Sequence, residues 1–123
     1  IVTEGLLTYF GEDDVIGMWQ RFARVLNGFG AGVYLSDLRV REENSGVTDR
    51  VLQLMLSSFV QRSVHAHFEN AADAVEVLRE SGFAEARLHR AGDRAAALEA
   101  GRDPAAARIH VVEAATGDRR LTA

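Results

Sequence analysis

The sequence predicts an α/β fold, the second half of a doubly wound sheet, with parallel strands followed by an antiparallel edge pair. Residues 1–3, β-branched throughout, and the largely apolar run 33–38 are typical of buried strands. Between them, residues 15–29 repeat apolar side chains at the spacing of a helix. A strand, a crossover helix and a second strand in this order form a right-handed parallel unit.

Composition limits what kind of protein this is. A chain of 123 residues and 13.4 kDa has room for one domain, which we assign to residues 1–123. A net charge of -4 and a pI near 5.5 argue against binding to nucleic acid or to an anionic membrane surface. No apolar run approaches the ~20 residues of a membrane span. With no cysteine and no signal-peptide pattern, we expect a cytoplasmic protein without a metal site.

The first helix carries its own start and stop signals. Acidic residues 12–14 precede it, where the positive end of the helix dipole favours them. Asn27 and Gly28 end it, and further glycines follow at positions 30 and 32. A glycine loop that cradles a nucleotide follows a strand and opens a helix. These glycines follow a helix and open a strand, so we interpret them as a helix cap and connector.

Each of the first two strands ends in an acid. Glu4 and Gly5 follow the first strand, and Asp37 lies near the end of the second. The carboxyl ends of parallel strands meet at one edge of an open sheet, and ligands bind there. We therefore expect Glu4 and Asp37 at one edge of adjacent or near-adjacent strands. An alternative for Asp37 is that it caps a turn or a helix.

The middle of the chain is harder to interpret. Residues 39–46 predict a polar loop, and residues 47–60 predict a helix whose wide apolar band suits core packing, a lid or a protein contact. The trio from His65 to Glu69 could face one metal ion in an extended backbone, but no further ligand stands at convincing spacing. His65 or His67 could instead accept a proton at the rim of a cleft.

The last part of the chain, from residue 70, has clear patterns of helices and strands. Residues 70–81 predict a helix capped by Asn70 and closed by a Schellman turn at Gly82 and Phe83. Residues 84–89 alternate like a half-exposed strand near a sheet edge, residues 93–100 predict a short helix, and residues 108–114 the last strand. His89 and His110 are interpreted as surface residues of this strand pair.

The expected sheet is incomplete. No glycine loop follows a first strand, and no acid stands where it would hold a ribose. A parallel strand at residue 1 would leave an unpaired sheet edge. We therefore expect the chain to be the C-terminal part of a longer protein. Its partner would be the missing N-terminal half of that protein or a second copy of the chain.

Four segments carry a resemblance to a known family: "IVTEGLLTYF", "GVYLSDL", "SGFAEARLH" and "RIHVVEA". Together they resemble the class I S-adenosylmethionine-dependent methyltransferases, the family with leucine carboxyl methyltransferase and the polyketide-type O-methyltransferases. The resemblance covers nearly the whole chain and the last part of the family's Rossmann-like domain. It implies S-adenosylmethionine as cofactor and a small-molecule hydroxyl or carboxyl group as methyl acceptor.

The resemblance also implies roles for individual residues. Cofactor contacts fall on Glu4, Gly5 and Leu6, with the Glu4 carboxylate facing the α-ammonium of the methionine part. The substrate side would be formed by Leu7, Tyr9, Asp37 and Arg39. A hydroxyl acceptor would need a base, for which His65 and His67 are the candidates. A carboxylate acceptor would need none, and Arg39 or Arg41 could orient it.

Two other functions are compatible with such a chain. It could be a non-catalytic fragment or assembly module that pairs through its exposed first-strand edge and the wide apolar helix 47–60. A nicotinamide-dependent oxidoreductase half would need a Tyr-x-x-x-Lys or comparable pair, and the chain contains no lysine.

Overall fold

The computed structural model describes residues 1–41, 66–90, 109–118 and 121. In these ranges four strands, two α-helices and one 3₁₀ turn follow one another along the chain. They are β1 (Val2–Thr3), the 3₁₀ turn (Leu7–Tyr9), α1 (Glu12–Gly28), β2 (Gly32–Leu38), α2 (Ala71–Glu80), β3 (Glu85–Arg90) and β4 (His110–Thr116). The predicted helices 47–60 and 93–100 lie outside the described residues, as does His65.

The strands form one mixed sheet in the order β1-β2-β4-β3. β1 runs parallel to β2, which confirms the predicted parallel unit around α1. β4 is antiparallel to both β2 and β3, so β2 and β3 are parallel to each other. The predicted antiparallel pair at the edge of the sheet is therefore confirmed: β3 forms the edge, as its alternating sequence predicts, and β4 lies between β2 and β3. The result is a small α/β domain with a mixed four-stranded sheet.

β1 is less buried than its sequence predicts. Ile1 is 40% exposed and Val2 74% exposed, although both are β-branched. In the described ranges no strand pairs with the outer edge of β1, which explains the exposure. The prediction of an open first edge is confirmed for these ranges, and the prediction that the strand is buried was wrong.

Both helices pack on one face of the sheet, where a single core forms. On β2 the buried residues Tyr34 and Leu38 point to this face, and Leu35 between them is exposed. Trp19 of α1 is fully buried and stacks on Phe68, with ring centroids 5.2 Å apart. Buried residues of all these elements join the same cluster, namely Val15, Ala23, Leu26, Ala74, Leu78, Ala86, Val112 and Ala114.

The glycines after α1 form the turn, as predicted, and one of them also permits close packing. Gly30 has a φ of +87°, a conformation that favours glycine. A Cβ at Gly32 would lie 2.5 Å from Cδ2 of Leu26, so the strand can approach α1 closely because this position has no side chain. The observed α1 begins earlier than the predicted helix and takes the acids Glu12, Asp13 and Asp14 into its first turn.

α2 has both predicted ends. The Asn70 side chain accepts hydrogen bonds from the backbone N–H groups of Ala72 and Asp73, at 2.9 and 3.0 Å. At the other end, the N–H of Phe83 donates to the carbonyl of Leu78, and Gly82 has a φ of +108°. This is the bond pattern of a Schellman motif. None of the helices in the described ranges is long and apolar enough to span a bilayer.

Candidate functional site

The carboxyl ends of β1, β2 and β3 lie at one edge of the sheet, because these three strands are mutually parallel. We call this the carboxyl edge. Glu4 follows β1, and Asp37 and His89 are each the second-last residue of their strand, so all three lie along this edge. In open α/β sheets this is the edge where ligands bind.

Glu4 and Gly5 form a turn that Asp37 holds. Oδ1 of Asp37 accepts a hydrogen bond of 2.7 Å from the backbone N–H of Gly5. Gly5 has a φ of +61°, and no atom of the described residues lies within 4 Å of the position that a Cβ would take. Glu4 is exposed. The predicted proximity of the two strand ends is confirmed, and Asp37 caps the turn through Oδ1; its contact with a substrate stays a prediction.

A chain of hydrogen bonds runs beneath this turn. The Thr3 hydroxyl donates to Oγ of Ser36 at 2.8 Å, and Ser36 donates to the carbonyl of Asp37 at 3.2 Å. Because a hydroxyl has one proton to donate, the Tyr34 hydroxyl must be the donor in its 2.9 Å contact with Thr3. The bonds thus run in one direction from the core to the strand end. Sequence analysis missed this role of Thr3, since it depends on the register of two distant segments.

The apolar residues after Gly5 divide between core and surface. Leu7 is buried in the core cluster, so its position does not support contact with a substrate. Leu6 is half-buried, and Tyr9 and Phe10 are exposed, Tyr9 to 51%. Tyr9 is therefore the predicted wall residue that the structure leaves accessible. Arg39 is exposed as well.

His67 lies beneath the surface rather than at a rim. Its Nε2 is 2.6 Å from the carbonyl oxygen of Phe10, and the residue is buried. Since a carbonyl can only accept, Nε2 carries a hydrogen and donates it. Nε2 is then engaged in holding the Phe10 segment, an arrangement that supports a positioning role better than proton transfer.

Arg41 binds three segments together. Its Nε donates to the carbonyl of Ala66 at 3.0 Å, and its guanidinium lies 3.4 Å from a carboxylate oxygen of Glu12 and 3.7 Å from one of Glu69. Its backbone N–H donates to the carbonyl of Phe68. These partners leave Arg41 poorly suited to orient a substrate carboxylate, the alternative that its sequence position allowed.

A histidine pairs with a glutamate on the sheet face opposite the helices. Nε2 of His89 is 2.9 Å from Oε2 of Glu113 on the neighbouring strand β4. His89 is half-exposed, as predicted, whereas His110 is buried, so the surface prediction for His110 was wrong. Among the described residues, no three His, Cys, Asp or Glu side chains cluster closely enough to hold a metal ion.

No family model matches the chain, and no curated protein matches it by sequence. Solved structures match its fold. The S-adenosylmethionine-dependent methyltransferase SibL matches with a TM-score of 0.59 at 14% identity, over 94% of this chain and 30% of that one. A protein of Nostoc punctiforme assigned as an O-methyltransferase gives 0.57 at 12% identity over 94% and 30%. Human N-acetylserotonin methyltransferase, solved in complex with SAM, gives 0.54 at 12% over 94% and 28%.

The matches do not all have the same description. A possible exported protein of Bordetella parapertussis matches with a TM-score of 0.59 at 18% identity, over 94% of this chain and 38% of that one. At these identities the likeness establishes fold and not activity. The chain is structurally similar to S-adenosylmethionine-dependent O-methyltransferases, over most of its own length and about 30% of theirs.

Proposed function

We propose that this chain is part of an S-adenosylmethionine-dependent O-methyltransferase domain of the leucine carboxyl methyltransferase or polyketide type. The observation that carries the proposal is the Glu4–Gly5 turn: an exposed carboxylate beside an open glycine at the carboxyl edge of the sheet. The fold likeness to methyltransferases supports it. The acceptor would be a hydroxyl or carboxyl group of a small molecule.

The described residues fit the methionine end of that cofactor. The Glu4 carboxylate can accept charge-assisted hydrogen bonds from an α-ammonium group. Gly5 has no side chain to keep a ligand away from the backbone, and the Asp37 bond fixes the turn before any ligand arrives. S-adenosylmethionine, when bound, supplies an electrophilic methyl group on a sulfonium.

The chain's own contribution to such a reaction is alignment and exclusion of water. Methyl transfer is a displacement that needs little covalent help from a protein, so positioning supplies most of the acceleration. Tyr9 is exposed beside the turn and can cover the reacting groups, with Leu6 at its side. Exposed Arg39 could contact the acceptor.

Replacing Glu4 with glutamine should weaken the binding of S-adenosylmethionine to the full-length protein by about 10- to 100-fold. The reason is that a hydrogen bond between two charged groups contributes roughly 1.5–3 kcal/mol, and about 1.4 kcal/mol corresponds to tenfold in affinity. Isothermal titration calorimetry measures the change. Glu80→Gln, which removes the same charge from an exposed position near the end of α2, is the control and should bind normally. Equal affinity of Glu4→Gln and wild type would refute the assignment of Glu4.

One observation favours a second candidate, an assembly module. The outer edge of β1 is unpaired in the described ranges, and Val2 is exposed there. An unpaired edge is a template for pairing with another chain. This candidate predicts self-association in sedimentation equilibrium that weakens in a Val2→Lys variant. A wild-type chain that remains monomeric at high concentration would count against it.

A further inference from the structure

The sheet face opposite the helices carries its own set of side chains. Because Tyr34 and Leu38 point to the helices, the alternating residues Leu35 and Asp37 of β2 point to the other face. The register places Val111 beside Asp37 and His89 beside Val111. We call this surface the open face. Leu35 and Val111 are both more than one third exposed there, so the part of the chain that the structure describes does not cover it completely.

His89 on the open face is held by a carboxylate. Nε2 of His89 is 2.9 Å from Oε2 of Glu113, which lies diagonally across the strand pair. A carboxylate accepts, so in the neutral imidazole Nε2 carries the hydrogen and Nδ1 carries the lone pair. The His89 side chain is 30% exposed, and none of the described residues forms a hydrogen bond to Nδ1. A histidine fixed by a carboxylate at one nitrogen and open at the other is arranged as a general base.

His89 shares its edge with the proposed cofactor site. It lies near the carboxyl end of β3, as Asp37 lies near that of β2, and Glu4 follows β1. Strands are spaced by roughly 5 Å, so two strand spacings put the backbones of Asp37 and His89 about 10 Å apart. The Glu4 turn follows β1, one spacing further away, so the turn and His89 are roughly 15 Å apart along the edge, and a small acceptor would have to lie between them.

We propose that His89, oriented by Glu113, accepts the proton of the methyl acceptor, which makes the acceptor a hydroxyl compound rather than a carboxylate. This inference rests on the proposed function. The hydroxyl proton moves to Nδ1 of His89, and the oxygen keeps the electron pair. That oxygen forms a bond to the methyl carbon of the sulfonium donor, and the electron pair of the broken carbon–sulfur bond stays on sulfur. Glu113 stabilises the imidazolium that results.

The structure favours His89 over His67 for this role. Nε2 of His67 donates to Phe10, and the residue is buried. The His89–Glu113 contact is between partly exposed side chains and adds little to stability, so the tests below measure properties that a purely structural contact would not change. Among the described residues, the other charged groups on this face are Glu85 and Arg87, which pair with each other at 2.7 Å, and Asp37, which lies across Val111 from His89.

A first test needs no methyl transfer. In the full-length protein, ¹⁵N NMR of the imidazole should show the hydrogen on Nε2 and a lone pair on Nδ1 at neutral pH. In Glu113→Gln this preference should be lost, since an amide can either donate or accept. Arg87→Gln, on the same strand and face, is the control and should keep the wild-type tautomer. A wild-type imidazole with its hydrogen on Nδ1 would overturn the proposal.

A second test separates this proposal from the proposed function. His89→Gln should bind S-adenosylmethionine with wild-type affinity but lower kcat for hydroxyl acceptors by about 100-fold or more. The acid limb of the pH–rate profile should disappear, an effect that a structural role would not produce. Glu113→Gln should slow the reaction with little change in KM. If wild type binds no S-adenosylmethionine, both proposals fail; if it binds and His89→Gln keeps its rate, the role of His89 alone fails.

Discussion

Replacing Trp19 with alanine is expected to lower the free energy of unfolding by about 3–5 kcal/mol, the range for removing a large aromatic side chain from a core. Trp19 is fully buried and stacks nearly parallel on Phe68, at an angle of 13°. Urea denaturation followed by circular dichroism measures the change.

Trp19→Phe is the matched control for that variant. It keeps the ring stack, and it loses no hydrogen bond, because Nε1 of Trp19 is buried without a hydrogen-bond partner in the described structure. Removing an unsatisfied donor offsets part of the lost packing, so we expect a cost of about 1 kcal/mol. If phenylalanine destabilised the protein as much as alanine does, the stack on Phe68 would not be the source of the stability.

Replacing Gly117 with alanine is expected to lower the free energy of unfolding by about 2–5 kcal/mol. Its φ of +67° is unfavourable for a residue with a side chain, by roughly 1–2 kcal/mol. In addition, the new Cβ would overlap the carbonyl oxygen of Gly30, a backbone atom that moves less readily than the end of a side chain. Such overpacking adds about 1–3 kcal/mol. The chain has one tryptophan, Trp19, so its fluorescence reports unfolding directly.

The Gly30→Ala variant separates the cost of the positive φ from the cost of the steric overlap. Gly30 also has a positive φ, of +87°, but a Cβ at this position would meet no atom within 4 Å. Its alanine variant should therefore show the conformational cost alone, about 1–2 kcal/mol. Equal losses for the two variants would mean that the turn after β4 relaxes and the close contact with Gly30 carries no energy.

Local features of this fold were predictable from sequence because they depend on neighbours along the chain. The cap at Asn70 and the Schellman turn at Gly82 are examples, and both are present. The position of β4 was not predictable in the same way. Whether a last strand lies outside or between earlier ones depends on contacts between residues far apart, such as Leu35 opposite Glu113. Sequence periodicity contains no information about such contacts.

The same distinction applies to the candidate site: some of its features followed from general rules, and others depend on contacts between distant residues. The meeting of the Glu4 turn with Asp37 followed from a general rule about the ends of parallel strands. The pair of His89 and Glu113 could not be found this way, because the two residues meet diagonally only in the observed register. For Leu7, hydrophobicity alone did not distinguish a pocket wall from the core position that it occupies.

The interior position of β4 has a consequence for how the protein is made. A ribosome releases β1, β2 and β3 before residues His110–Thr116 emerge, yet β2 and β3 have no ladder between them without that strand. A ribosome adds about 5–20 residues per second, and a domain generally folds as a unit. Until translation reaches the end of β4, the facing edges of β2 and β3 therefore have no partner strand, and such unpaired edges are templates for pairing with other chains.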